Sequence, residues 1–237
     1  MKWHHTVFAR DAFMCVDYEP ADDEQIMEMI EALNNGDLLP QGWPAEVWQD
    51  YVAPIVRAVD GEPQLIVGTY GMLPKSHMPP GARFSTMNAR AETIGEKRAY
   101  SKAWREGQLC LLPTKRFYEP NYESGKAQRW SIGMADDAPF CVAGLWRQWQ
   151  EENGGFSFSF TQITVNADDH PLMKRFHKPG DEKRSLVIVP GESYDDWLNC
   201  KDPEFARSML TLFPAELMKA APAPKGYGGK SQQALLL

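Results

Sequence analysis

The sequence predicts an α+β domain built on a mostly antiparallel, partly closed β-sheet with peripheral helices. Two observations carry that prediction. Four apolar, β-favouring runs crowd the middle of the chain (Gln108–Leu112, Arg129–Gly133, Phe140–Trp146 and Phe156–Val165), separated by turn signals at Glu123-Ser124-Gly125 and Asn153-Gly154-Gly155. Helical patterns intrude at irregular intervals, without the βαβα rhythm of a parallel sheet.

The elements follow in order. Asp22-x-x-Gln25 is a capping box, and Ile26, Met29, Ile30 and Leu33 follow at helical spacing before Gly36 stops the turn. The Pro- and Trp-rich stretch Leu39–Trp48 reads as an irregular connection. Pro54–Val59 and Gln64–Tyr70 flank Asp60-Gly61, a hairpin signal. Ser76–Arg83 is a Pro/Gly loop. Thr93-x-x-Glu96 is a second capping box, predicting a helix that ends at Gly107. After the four strand runs, His170–Phe176 reads as a short helix and Ser185–Val189 as a last strand. Ser193–Leu198 and Glu204–Leu212 read as further helices. The organisation expected is an extension over 1–13, a domain over 14–219 and a Pro/Gly/Lys-rich flexible tail over 220–237.

At 237 residues, 43% hydrophobic and 24% charged, the chain is long enough for one full core. No apolar run approaches the roughly 18 residues of a membrane span, and Met1–Phe13 lacks the apolar centre of a signal peptide. Four widely spaced cysteines, Cys15, Cys110, Cys141 and Cys200, point to reduced thiols in the cytoplasm rather than a disulfide frame or zinc knuckle. The net charge of −7 argues against a generic nucleic-acid binder, although Lys97, Arg98, Lys102 and Arg105, Lys115-Arg116, and Lys174 to Arg184 form local basic clusters. Each cluster alone reads equally as a solvated face. Nucleophile-elbow, P-loop, dinucleotide-binding and His-Glu-x-x-His motifs are absent, and no metal or cofactor is expected.

The pair Met14-Cys15 stands apart. If Cys15 becomes N-terminal it carries an α-amine and a thiol on adjacent carbons, both partly nucleophilic near neutral pH. Such a 1,2-aminothiol condenses with an aldehyde to an imine and closes to a thiazolidine; an internal Cys cannot, because its nitrogen is an amide. Initiation at Met14 with methionine trimming would expose it. So would attack of the thiol on the Met14 carbonyl followed by hydrolysis. Read on its own, Cys15 is a small buried apolar residue, the commoner fate of a free Cys.

Further blocks follow: Tyr70-Gly71-Met72-Leu73-Pro74, Asn88-Ala89-Arg90-Ala91-Glu92-Thr93, Cys110-Leu111-Leu112-Pro113 leading to Phe117-Tyr118-Glu119, Ala143-Gly144-Leu145-Trp146, Ile163-Thr164-Val165-Asn166 and Phe176-His177. In this order, from Met14 to Trp197, they resemble the SOS response-associated peptidase (SRAP) family, whose members cross-link covalently to abasic sites in single-stranded DNA through an N-terminal Cys. The resemblance implies a β-rich fold, single-stranded DNA with abasic sites as partner, and catalytic roles for Cys15, Asn88, Glu119 and His177. It implies peptidase self-processing or lyase chemistry as the enzymatic activity. Asn88 and Arg90 lie two apart on an extended segment and so share a side; Asn88 would hold the amine or sugar and Arg90 a phosphate. Lys178 and Arg184 are the other cations expected at DNA. Glu119, among Phe117, Tyr118 and Pro120, suits proton transfer, as does an imidazole at His177, with His170 as competitor.

Two departures stand out. The family start, Cys-Gly-Arg, is Cys15-Val16-Asp17 here, which exchanges a cation for a carboxylate. The Arg usually found close after the His is displaced by Lys178-Pro179-Gly180-Asp181-Glu182. These changes, with the acidic balance, keep open an alternative: a non-catalytic, phage-related DNA-binding module. A monomer without membrane attachment is expected in either case.

Overall fold

The computed structural model describes residues 17–30, 42–82 and 84–225. The chain runs β1 (Asp17–Pro20), α1 (Asp23–Met29), β2 (Val52–Val59), β3 (Glu62–Tyr70), β4 (Asn88–Arg90), α2 (Ser101–Arg105), β5 (Leu109–Asn121), β6 (Gln128–Met134), β7 (Phe140–Gln150), β8 (Phe156–Asn166), β9 (Arg184–Leu186), β10 (Ile188–Val189), α3 (Tyr194–Asn199), α4 (Pro203–Ser208) and β11 (Met218–Pro222). The predicted α+β class is the observed one.

Local signals are where the chain obeys its sequence most closely. Asp22 accepts from the Gln25 amide at 3.0 Å while the Gln25 side chain accepts from the Asp22 amide, so both halves of the capping box of α1 form. Asp60 and Gly61 both take positive φ (50° and 89°), the two-residue turn whose twist matches the β2–β3 hairpin.

Strands β7, β8, β3, β2 and β5 pair in a closed ring, because β5 returns to β7. The ring is mixed: β3 runs parallel to β8, as does β4 outside the ring. Both faces of the strands are covered. One core gathers Tyr18, Ile55, Tyr70, Leu112, Phe117, Val142 and Phe160; the other packs Val56, Leu111, Ala143 and Leu145 against Trp104, Trp197 and Ala206 of α2, α3 and α4. That is why Leu109–Pro113 and Phe140–Leu145 are unbroken apolar runs rather than alternating ones. At Gly144 the ring is tightest. A Cβ there would lie 2.3 Å from Leu112 Cδ1 and 2.7 Å from the Thr161 carbonyl, so only glycine fits.

Several expectations change. The helix expected from Thr93 does not form. Residues 91–100 are successive turns, because Ala91 N is tied to the Thr164 carbonyl and Glu92 to Arg184. Only Ser101–Arg105 is helical, and Gly107 ends it with φ of 60°. The expected strand Gln108–Leu112 continues to Asn121 and carries the Phe117-Tyr118-Glu119 block within it. His170–Phe176 contributes one 3₁₀ turn, Met173–Arg175. Ala220–Pro222, expected in the tail, belong to β11, which pairs with β6. Gly36 lies outside the described residues, as does the extension over 1–13. Among the described residues no helix is long and apolar enough to cross a membrane.

Candidate active site

Glu119 sits near the end of β5, where the strand leaves the ring and pairs with β1 on one side and β6 on the other. Its carboxylate is buried. Phe176 bridges to Asn121, and His177 N donates to the Pro120 carbonyl at 2.9 Å. These bonds draw the His177 segment along β5 until imidazole Nε2 stands 3.3 Å from Glu119 Oε2, with side-chain exposures of 3% and 0%. Two groups separated by more than fifty positions in sequence thus meet in a dry contact. His177 Nδ1 has no hydrogen-bond partner among the described residues.

His177 is held there against its backbone preference. Its φ of 63° is the left-handed region, uncommon for a residue with a Cβ. Lys183 holds it: Nζ donates to the His177 carbonyl at 3.2 Å and to the Lys178 carbonyl at 2.9 Å. The Lys183 backbone is itself anchored to Asp168 and Ala167. Residues 178–182, the five after His177, therefore close into a clipped loop, with Gly180 (φ 86°) at its bend. Sequence reasoning placed Lys183 among the basic residues without singling it out, and nothing local to it signalled this task.

Asn88 lies on β4, opposite Gln162 of β8. Met87 before it, Phe117 two residues before Glu119 and Phe176 before His177 all belong to one apolar core. The rival histidine is structural. His170 Nδ1 accepts from the Leu172 and Met173 amides, which fixes the proton on Nε2, and Nε2 donates to the Phe213 carbonyl at 2.8 Å.

The expected DNA cations divide. Lys178 is exposed. Arg90 is half exposed and gives Nη1 to Glu182 at 2.7 Å. Arg184 does not offer a phosphate-binding fork. It is 1% exposed, and its terminal nitrogens bond Glu92 at 2.9 and 2.8 Å, Glu182 at 2.7 Å and the Thr164 carbonyl at 2.7 Å. Burial works against each of the two carboxyls, but the bonds from Arg184 to Glu92, and from Asn166 and Arg184 to Glu182, outweigh it and hold both below the usual carboxylate range.

Asp17 also reads differently. Its carboxylate, expected to repel phosphate, accepts from Arg129 Nη2 at 2.6 Å, and that guanidinium also meets Glu46 at 3.0 Å and lies over the Tyr118 ring. Burial pushes the Asp17 carboxyl up to about 6 despite the cation. Cys15 lies outside the described residues. The other three cysteines are buried, and burial raises the Cys110 thiol well above its usual value and the Cys141 thiol to about 12, so both stay protonated and inert. Among the described residues no cluster of His, Cys, Asp and Glu is arranged to hold a metal ion.

Against known proteins, the family described as SOS response associated peptidase (SRAP) matches residues 14–226. The chain is 29% identical over 202 residues to the abasic site processing protein YobE of Bacillus subtilis, covering 81% of this chain and 87% of that one. It is 24% identical over 156 residues to the abasic site processing protein HMCES of Xenopus tropicalis, covering 58% and 45%. A crystal structure from Bordetella bronchiseptica superposes with a TM-score of 0.76 at 33% identity, covering 88% of this chain and 99% of that one. A phage-related protein of the same organism superposes with a TM-score of 0.62 at 21% identity, covering 88% and 94%, a likeness of fold.

Proposed function

The chain belongs to the SOS response associated peptidase (SRAP) family, and from that premise we propose that it processes abasic sites by trapping them covalently in single-stranded DNA through Cys15. The observation that carries this reading is the buried Glu119–His177 contact at 3.3 Å, formed beside the start of β1. Asp17 opens β1 opposite Tyr118, next to Glu119. Cys15 precedes Asp17 by two residues, a span of at most about 7 Å when extended. The relatives named for abasic-site processing support the substrate.

In this mechanism the Cys15 amine adds to the C1′ aldehyde of the open abasic sugar, giving a carbinolamine. Glu119, as general acid, protonates the hydroxyl, which leaves as water, and the nitrogen returns a proton to the Glu119 carboxylate as the imine forms. The Cys15 thiol then adds to the imine carbon and its proton goes to the nitrogen, closing a thiazolidine with no net change in protons. His177 exchanges the proton with Glu119 and serves the reverse reaction, which would give lyase behaviour. Arg90 and Lys178 supply phosphate contacts, and Asn88 orients the amine or sugar. Where residues before Cys15 are present, self-processing by the thiol would have to precede this chemistry.

The test is a denaturing gel with single-stranded DNA bearing one abasic site. Protein beginning at Cys15 gives a heat-stable adduct, and Cys15→Ser leaves only a reducible imine. Equal heat-stable adduct from both proteins refutes the thiazolidine. The second reading, a non-catalytic DNA-binding module, is favoured by the net charge of −7 and by Glu182 occupying Arg90. The intact mass of protein expressed from its native gene decides between them: a chain starting at Met1 supports the module, one starting at Cys15 the trap.

A further inference from the structure

Trp130 of β6 lies directly opposite Glu119 in the β5–β6 ladder. Opposed residues of a ladder project to the same face, so the indole and the carboxylate share a side. The ring is fixed from two further directions. Phe176, the residue before His177, meets it edge-on at a centroid distance of 6.1 Å, and the Arg175 guanidinium lies 5.1 Å from its centroid. Arg175 is itself gripped by both oxygens of Glu123 at 2.9 Å. The indole is thus clamped beside the Glu119–His177 contact by residues that also position His177.

Its donor is left over. Trp130 Nε1 is buried and has no hydrogen-bond partner among the described residues, although a buried indole N–H ordinarily finds one. Nearby, both ring nitrogens of His177 also lack hydrogen bonds of good geometry, the Glu119 contact being a long one. Buried polar atoms left unpartnered beside one another mark a place where a ligand can supply the missing partner. One face of the ring is already taken by Arg175, and Phe176 packs against the indole edge-on. What the indole still offers in polar terms is one directional N–H.

We propose that Trp130 is a substrate-binding residue whose Nε1–H donates to a sugar oxygen of the abasic nucleotide. The inference rests on the reading of the Glu119–His177 site as the abasic-site pocket. It assigns the indole a polar task in recognising the damaged sugar, where a base still attached would keep the deoxyribose from reaching it. Undamaged DNA would then engage only the outer cations.

The experiment uses the full chain with ¹⁵N-labelled tryptophan. Its eight indole N–H resonances are recorded alone, with a single-stranded oligonucleotide carrying one tetrahydrofuran abasic analogue, and with the same strand undamaged. The analogue lacks the aldehyde, so binding is read without cross-linking. Trp130→Phe identifies the Trp130 resonance by its loss. The expected result is a downfield shift and slowed solvent exchange of that resonance with the analogue only. Trp130→Phe should also bind the analogue about tenfold more weakly while binding the undamaged strand as the parent does. If the analogue binds but the Trp130 resonance stays in place and Trp130→Phe binds it like the parent, the inference is overturned and the abasic-site reading stands. If the parent prefers neither strand, the functional reading fails and takes this inference with it.

Discussion

Replacing Arg184 with Met separates a structural arginine from a DNA-binding one. In the folded protein its terminal nitrogens satisfy both oxygens of Glu92, one oxygen of Glu182 and the Thr164 carbonyl. Methionine approximates the length of the stem and removes every one of those bonds, leaving two carboxylates facing each other without the cation. Removing one partner of a buried ion pair costs about 3–5 kcal/mol. Glu92 is 48% exposed and Glu182 35%, so both rehydrate in part and the expected loss is about 2–4 kcal/mol. For a chain of this size that lowers the melting temperature by roughly 5–15 °C.

The assay is urea unfolding followed by tryptophan fluorescence, with thermal melts alongside. Glu92→Gln in the Arg184→Met background should recover part of the loss, because it removes one of the stranded charges. The pH dependence supplies a second check. Arg184 holds Glu92 below the usual carboxylate range, and with Asn166 it does the same for Glu182. The stability they contribute is therefore fully present above that range and lost as pH falls through their lowered values, so the deficit of Arg184→Met should shrink in acid. A variant that melts within about 2 °C of the parent, a change worth less than ~1 kcal/mol, yet binds DNA more weakly would refute this reasoning and return Arg184 to the phosphate-binding set.

Three further outcomes are expected. Glu119→Gln should keep DNA binding while slowing adduct formation about 10²–10⁴-fold in a single-turnover gel assay; cross-linking at the parent's rate would make Glu119 structural. His177→Ala should form adduct but transfer it more slowly to excess competing abasic DNA, whereas His170→Ala should lose about 1–3 kcal/mol of stability, because two backbone amides and the Phe213 carbonyl lose their partner; the opposite pattern in melts and transfer assays would exchange the two roles. Asp17 has a folded value of about 6, above its unfolded one, so its stabilising contribution is fully present below the usual carboxylate range and lost as pH rises through 6. The stability of the parent relative to Asp17→Asn should accordingly fall between pH 4 and 7, and urea unfolding that shows it rising would contradict the assignment.

What the sequence made legible was whatever local chemistry decides. The cap of α1, the Asp60-Gly61 turn and the long apolar strands were all readable, since each depends on neighbours within a few positions. Strands β1 and β11 were not foreseen, and β4 was read only as an extended segment. They have between three and five residues, and they are strands only because distant segments pair with them. The Thr93 capping box failed for the same reason: tertiary bonds at Ala91 and Glu92 took the segment over. In the candidate site, Glu119 and His177 were both named and do meet. Arg184 and Lys183 looked alike in a run of charges. Periodicity could not tell that one is sealed inside an ion-pair network while the other clips the His177 loop. Asp17 likewise looked like a bare charge, because Arg129 lies 112 positions away.

That separation has a kinetic consequence. Several contacts that tie the ring and its rim together join residues 87 to 112 positions apart, as with Trp197 and Cys110, Tyr70 and Gln162, Arg90 and Glu182, and Arg129 and Asp17. Such pairings demand large loop closures before they give any stabilisation, so folding should be slow and concerted rather than piecemeal. Strand β1 docks on β5 only after the long intervening stretch has been synthesised. A nascent chain therefore lacks the Glu119–His177 contact until synthesis has passed His177. Glu119, His177 and β1 come into register together, and the candidate site is complete only in a finished molecule.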